Sequence, residues 1–438
     1  MSSFANMFKI PELRNRIMFT LALLFIYRLG VFVTLPGVNQ SLMKEMFAQT
    51  GSKTLFGMFN LFSGGALGQS SVFALGIMPY ISSSIIFSLL AVVLPSVEKL
   101  QKEGHQGRMK INQYTRYLTV GISILQGLGI SYWLETQKSN LGEAVVSEPG
   151  LGFRLMTIIS LTAGTIFIMW LGEQITERGI GNGISLIIFS GIVAGFPGGA
   201  IQTIKFFQQR VLTPISLLIV LIIMLAAIAF IVFFERGQRR VPIQYARRIA
   251  GQQFLGQSTH LPLKVNTAGV IPPIFASSIL LFPQTITNFF PNLEAVKQLQ
   301  DYMKPGGTAY LTTYVLLIVF FAYFYTAVMF NPVDVAENLK KNGGFIPGLR
   351  PGKQTAEYLD KVLSRITFAG AAYMSIVCVL PTVLIQQFNV PFYFGGTSLM
   401  IVVGVALDTV SQIESHLITR HYEGFTGASG LRIRGRRG

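Results

Sequence analysis

Charge is scarce in this chain. Only 12% of its residues are Asp, Glu, Lys or Arg, about half of the roughly 25% usual in soluble domains, and that shortage excludes the water-soluble enzyme folds. Cysteine is scarcer: the single thiol, Cys378, lies in an apolar run, so no intramolecular disulfide staples the fold. The four histidines (His105, His260, His416, His421) are scattered without an HExxH spacing or a cysteine beside them, which leaves no metal site to expect. No GxSxG elbow occurs. The nearest approach to a phosphate loop, Gly348 to Gly352 followed by Lys353 and Gln354, has the wrong spacing and lacks the Ser or Thr that magnesium needs. Neither a cofactor nor a catalytic activity is expected.

What the chain does have is apolar length. Over 438 residues, 51% are apolar and the mean hydropathy is +0.52. Apolar runs near the length needed to cross a hydrocarbon core of about 30 Å recur throughout. They predict an all-α polytopic membrane protein with ten spans, at 17–35, 73–94, 117–134, 154–172, 184–203, 214–234, 268–290, 310–330, 366–386 and 392–410. The first run follows Lys9, Arg14 and Arg16 like a signal peptide, but it is too long for an h-region and leads into Thr34, Leu35 and Pro36 rather than a small-residue cleavage site. It reads as an uncleaved span.

The net charge of +16 sits between the spans. Twenty-six Lys and Arg fall in the N-terminus, the connections 95–116, 173–183, 235–267 and 331–365 and the tail from 411, against eight in the alternate connections, with Arg28 inside the first span. The excess of Lys and Arg on the cytoplasmic side predicts both termini in the cytoplasm, and an even span count agrees. Two halves of five, 1–203 and 204–438, are then necessarily inverted relative to one another, an arrangement common among transporters.

The spans themselves are nearly free of ionisable groups. Coupled pumps and exchangers need such groups near the midplane, whereas here Arg28 and Asp408 lie near opposite interfaces, where simple anchoring accounts for them. Pro79 in span two and Pro272 with Pro273 in span seven should kink their helices. Span two also carries Ser82, Ser83 and Ser84. Each such residue alone packs neighbours in ordinary membrane helices; two helices marked alike are a candidate moving pair. Between spans one and two, NLFSGGALGQSS (Asn60 to Ser71) is too short to cross. Its composition fits equally a surface loop or a re-entrant segment buried in protein. The connections 235–267 and 331–365 are long and basic, fit for phospholipid headgroups, an acidic protein or RNA phosphates.

Six long strings, in order, resemble the bacterial SecY family, the pore subunits of a protein-translocation channel. They are FALGIMPYIS (Phe73 to Ser82), INQYTRY (Ile111 to Tyr117), WLGEQITERGIGNGIS (Trp170 to Ser185), QSTHLPLKVNTAGVIP (Gln257 to Pro272), GGFIPGLRPGKQT (Gly343 to Thr355) and VPFYFGGTSLMIVVG (Val390 to Gly404). The resemblance implies a ten-helix clamshell in the cytoplasmic (inner) membrane, hinged between spans five and six. It would pass unfolded secretory chains across and release hydrophobic segments, such as signal peptides, sideways into lipid. It implies a constriction of Ile77, Ile81, Ile188, Ile274 and Ile401. It also implies a plug near 57–70 that includes Asn60, Leu61, Phe62, Ser63, Gly64 and Gly65, and a lateral gate with Pro79, Ser82, Ser83, Pro272 and Phe282. Ile77 and Ile81, four apart, share a helix face as lining residues require.

Partners implied in the same way are the SecE and SecG subunits, the SecA ATPase and the ribosome, the last two docking on Arg239, Arg240, Arg247, Arg248 and Arg350. One departure bears on docking: Gln252 and Gln253 follow Gly251 where relatives often have a basic pair. The alternative class, a secondary transporter for a small solute, would need a polar midplane site, and the spans contain none.

Overall fold

Ten long helices overlap the ten expected spans one for one in the computed structural model, which describes residues 10–50, 60, 63–137, 143–209, 213–245, 259–289, 307–388 and 396–428. In chain order the helices are α1 (Pro11–Gly30), α2 (Gln40–Thr50), α3 (Met78–Val93), α4 (Pro95–Lys102), α5 (His105–Thr136), α6 (Leu151–Arg178), α7 (Gly183–Gln208) and α8 (Pro214–Arg236). A β-ribbon, β1 (Gln238–Tyr245) and β2 (Thr259–Lys264), follows. Then come α9 (Ile271–Phe289), α10 (Thr308–Met329), α11 (Pro332–Lys341), β3 (Gly344–Phe345), α12 (Lys353–Phe388) and α13 (Gly396–Ala428). In lipid every backbone N–H and C=O must find a partner within the chain, and a helix satisfies its own. Helix α8 shows the consequence plainly: Ile215, Leu218, Leu221, Ile222, Leu225 and Phe233 all face outward, where only hydrocarbon solvates them.

Seven helical segments among the described residues are long and apolar enough to span, and α3 with α4 adds an eighth as a pair bent by 101°. The bend follows from Pro95: Leu94, just before it, is extended rather than helical. Helix α1 is less apolar because Glu12, Arg14 and Arg16 crowd its first turns and Arg28 lies in its last.

Several expectations are corrected. Span two does not begin at 73, because Gly76 is left-handed (φ +55°) and the helix starts only at Met78. Pro79 therefore sits in the first turn of α3, where its missing N–H is an orphan anyway, and it starts the helix instead of kinking it. Pro272 and Pro273 occupy the same place in α9. Prolines inside helices are Pro197 in α7, Pro283 in α9 and Pro381 in α12. Helix α7, capped by Asn182 accepting from the Ile184 and Ser185 amides, runs on past residue 203 to Gln208.

The all-α fold also carries one small β element that the sequence reading did not include. The two basic connections are folded: β1 pairs antiparallel with β2 (Val241 opposite Leu261) and with β3 (Gln244 opposite Phe345), giving a sheet of order β2-β1-β3. Alternation along β1 turns Val241 and Ile243 inward and Arg240 outward, while Arg239, on the face of Val241 but near the strand's start, is also exposed. Val241, Leu263, Ile346, Leu359, Val362 and Leu363 close a small core of their own. Connection 331–365 contains α11, capped by Asn331, and the first turns of α12.

Candidate pore, plug and gate

Ile77 caps α3 and its carbonyl accepts from the Ile81 amide at 3.1 Å, one turn on. Ile188 comes from α7, Ile274 from the first turn of α9 and Ile401 from α13. All five are buried, at most 6% exposed, and all belong to one contiguous cluster of apolar side chains. Four helices distant in sequence thus contribute branched aliphatic side chains to the same extended core. That material can exclude water and ions without forming a directional bond to anything that passes.

Residues 63–71 lie inside the protein, not on its surface: Ser63, Ala66, Leu67, Ser70 and Ser71 are at most 2% exposed. Leu61 and Phe62 lie outside the described residues. Asn60 organises the turn, its carbonyl accepting from the Gly65 amide at 2.7 Å and its side-chain Oδ1 from the Gly68 amide at 2.7 Å. The Ser63 hydroxyl also donates to the Asn60 carbonyl, at 3.2 Å. Gly64 and Gly65 are left-handed (φ +67° and +89°), a conformation that costs glycine nothing. The reading of Arg28 as an interfacial anchor is corrected here. Its Nη1 donates to the Gly64 carbonyl at 2.7 Å, and the neighbouring Tyr27 hydroxyl donates to the Ser63 carbonyl at 3.2 Å. A half-buried guanidinium keeps its charge in place by a charge-assisted bond and by stacking over Phe32, 5.5 Å from the ring centre.

Helices α3 and α9 pack side by side and meet where the Ser278 hydroxyl lies 3.9 Å from the Met78 sulfur. Pro79, Ser83 and Pro272 are buried and Ser82 is half-buried. The Ser83 hydroxyl is used within its own helix, donating to the Pro79 carbonyl at 2.8 Å, so it makes no bridge across the seam. Phe282 belongs to α9, but its side chain lies outside the described residues.

Of the basic residues, Arg239 and Arg240 stand exposed on β1 and Arg350 is exposed in the turn before α12. Arg247 and Arg248, like Gln252 and Gln253, lie outside the described residues. Sequence reasoning passed over one junction. Glu235, at the end of α8, accepts from Asn266 Nδ2 at 2.6 Å and from the Tyr373 hydroxyl at 3.0 Å, and the Asn266 amide also donates to the Gly269 carbonyl at 3.0 Å. It ties the foot of the ribbon to α12 just before α9 begins. A lone acid at a span's end was the only signal available for it.

The chain matches known proteins along nearly its whole length. The family model described as SecY covers residues 71–410. A protein translocase subunit SecY of Haemophilus influenzae is 49% identical over 94% of this chain and 93% of its own length. Among solved structures, one described as a protein-conducting channel aligns over 92% of both chains with a TM-score of 0.67 and 17% identity. The Sec61 channel of the canine ribosome-channel complex from the endoplasmic reticulum aligns over the same share with a TM-score of 0.64.

Proposed function

The chain belongs to the SecY family, and from that premise we propose how its geometry conducts protein. It is a membrane-embedded protein translocase subunit whose fold is that of protein-conducting channels. The alternative of a transporter for a small solute finds no support in any of these relatives.

In this reading the halves 1–203 and 204–438 form the clamshell, and Ile77, Ile81, Ile188, Ile274 and Ile401 form the constriction. The observation that supports it is that these five, from four helices, are all buried and belong to one extended apolar core. An apolar ring dewets when empty and blocks ions, and its branched side chains can close around any extended chain without selecting its sequence. Residues near 57–70, including Asn60 through Gly65, plug the channel. Parting of α3 from α9 opens a lateral path, with Pro79, Ser82, Ser83, Pro272 and Phe282 along it, and hydrophobic segments leave by it because lipid solvates them better than water. Signal peptides and nascent chains are the substrates.

The channel supplies no energy itself, so a motor docks on the basic surface of Arg239, Arg240, Arg247, Arg248 and Arg350: the SecA ATPase or the ribosome. A ribosome partner is supported by the canine channel's occurrence in a ribosome complex. SecE braces the halves and SecG binds peripherally. The membrane is the bacterial inner membrane and both termini are cytoplasmic.

Two measurements test this. In the first, Ile81→Ser, Ile188→Ser and Ile274→Ser are expected to make the resting channel leak ions, since a hydroxyl wets the constriction. Conductance equal to that of the unaltered protein in all three would remove the isoleucine seal. In the second, single cysteines are placed in a Cys378→Ser background. Arg108→Cys and Lys353→Cys should react with an impermeant thiol reagent from the cytoplasmic side, and Glu148→Cys from the opposite side; all three positions are exposed. Gly107 is unsuitable for this purpose, because a Cβ there would run into the Leu100 carbonyl. Labelling of Lys353→Cys and Glu148→Cys from the same side would refute the inverted topology.

A further inference from the structure

The plug assignment above says what the 63–71 segment does; its contacts say what it is fastened to. Tyr27 is 1% exposed, with its ring stacked on Phe73 at 6.1 Å, and its hydroxyl reaches the Ser63 carbonyl. Arg28 reaches the next carbonyl, Gly64, in the shorter, charge-assisted bond. On its other side Gly64 lies backbone to backbone against Gly191 of α7: a Cβ on Gly64 would stand 2.8 Å from Gly191 Cα, and one on Gly191 3.1 Å from Gly64 Cα. The segment's end is fixed likewise, the Leu35 amide donating to the Ser70 carbonyl at 2.7 Å and the Ser71 hydroxyl to the Gly30 carbonyl at 3.1 Å. Every one of these partners, on α1, the stretch after it and α7, lies in residues 1–203.

We propose that Tyr27 and Arg28 are a latch fastening the plug to the N-terminal half, so that plug release is a step separate from the parting of α3 and α9. When the halves part, the segment and all of these partners move as one body and none of the bonds is strained. Something else must break them, and an entering polypeptide competing for the space is the obvious agent. Both side chains grip main-chain carbonyls, so the latch depends on the shape of the turn rather than on the plug's side chains. Tyr27 and Arg28 are positioning residues: they set how often the plug is out and need not touch the translocating chain.

The inference rests on the plug assignment but is tested without transport. Ser63, 1% exposed, is replaced (Ser63→Cys, in a Cys378→Ser background) and its reaction with N-ethylmaleimide is followed in membrane vesicles. A thiol that reacts only when the plug leaves reports the population that is out. Arg28→Gln should accelerate labelling about tenfold or more, as expected for losing a charge-assisted bond. Tyr27→Phe, which keeps the ring stack, should accelerate it roughly threefold, and Arg28→Lys should fall between arginine and glutamine. The accelerations should persist when α3 and α9 are covalently bridged.

A second probe, Ser277→Cys in α9, 2% exposed, should stay protected in every variant. Unchanged labelling in both Arg28→Gln and Tyr27→Phe would overturn the latch. So would equal acceleration at Ser277→Cys, which would mean general loosening. Acceleration abolished by the bridge would overturn the separateness of the two steps. Failure of the unaltered protein to transport a precursor would instead remove the plug reading and leave the contacts of Tyr27 and Arg28 with residues 63 and 64 standing.

Discussion

Bridging Met78→Cys to Ser278→Cys with a short bis-methanethiosulfonate, in a Cys378→Ser background, should bring precursor translocation to background, and reduction should restore it. The two side chains face each other at 3.9 Å across the line where α3 and α9 meet, and both helices begin at a first-turn proline beside the isoleucine cluster. The contact is a hydroxyl against a thioether, and the Ser83 and Ser278 hydroxyls are otherwise spent on their own helices, bonded to the Pro79 and Ile274 carbonyls. A seam of dispersion contacts parts at small cost, because lipid or a hydrophobic segment replaces what is lost. A covalent bridge changes that cost from small to prohibitive, hence a complete effect rather than a graded one. Each single-cysteine protein should transport normally after the same treatment. Full transport by the bridged protein would mean that α3 and α9 need not part.

Arg350→Glu should lower motor-dependent import in vesicles by about 30-fold or more, the consequence of losing about 2 kcal/mol or more when one member of a docked charge pair is reversed. Arg350→Lys should fall between the two, because an ammonium keeps the charge and loses the paired geometry of a guanidinium fork. The turn is built to present this side chain. Gly348 and Gly352 are left-handed (φ +83° and +111°), the Leu349 amide donates to the Ile346 carbonyl at 3.1 Å, and the Thr355 hydroxyl donates to the Arg350 carbonyl at 2.9 Å. Ile346 is buried in the small core under the sheet. The backbone on both sides is therefore fixed while the guanidinium stays exposed, so little ordering cost remains for a partner to meet. Ion leakage measured in parallel should be unchanged, since the turn is far in sequence and fold from the isoleucine cluster. Normal import by Arg350→Glu would remove this residue from the docking surface.

The ten spans were legible in the sequence because each is set by a local property: twenty or so apolar residues whose only low-energy form in hydrocarbon is a helix. The proposed roles of the isoleucines come from the motif resemblance, and that of Arg350 also from the prolines and glycines around it. Other features were misread or unread. Pro79 and Pro272 looked like kinks, because the left-handed Gly76 and the turns that delay α3 to Met78 do not register as hydropathy. The connections 235–267 and 331–365 looked like basic loops, because β1, β2 and β3 are short and their small core draws on three separate stretches of chain.

By itself, then, the sequence determined that this protein lies in a membrane, how many times it crosses, which connections carry the positive charge, and that the spans offer no midplane charge for a coupled solute. Tertiary structure alone decided what the uncommon residues do. Arg28 is an anchor in one dimension and a donor to Gly64 in three; Gly191 is an unremarked glycine until Gly64 lies against it; Met78 and Ser278 are 200 positions apart until α3 meets α9. The division has a physical cause. Partition into lipid is a sum over neighbouring residues, whereas a hydrogen bond or a backbone contact is short-ranged in space and indifferent to distance along the chain.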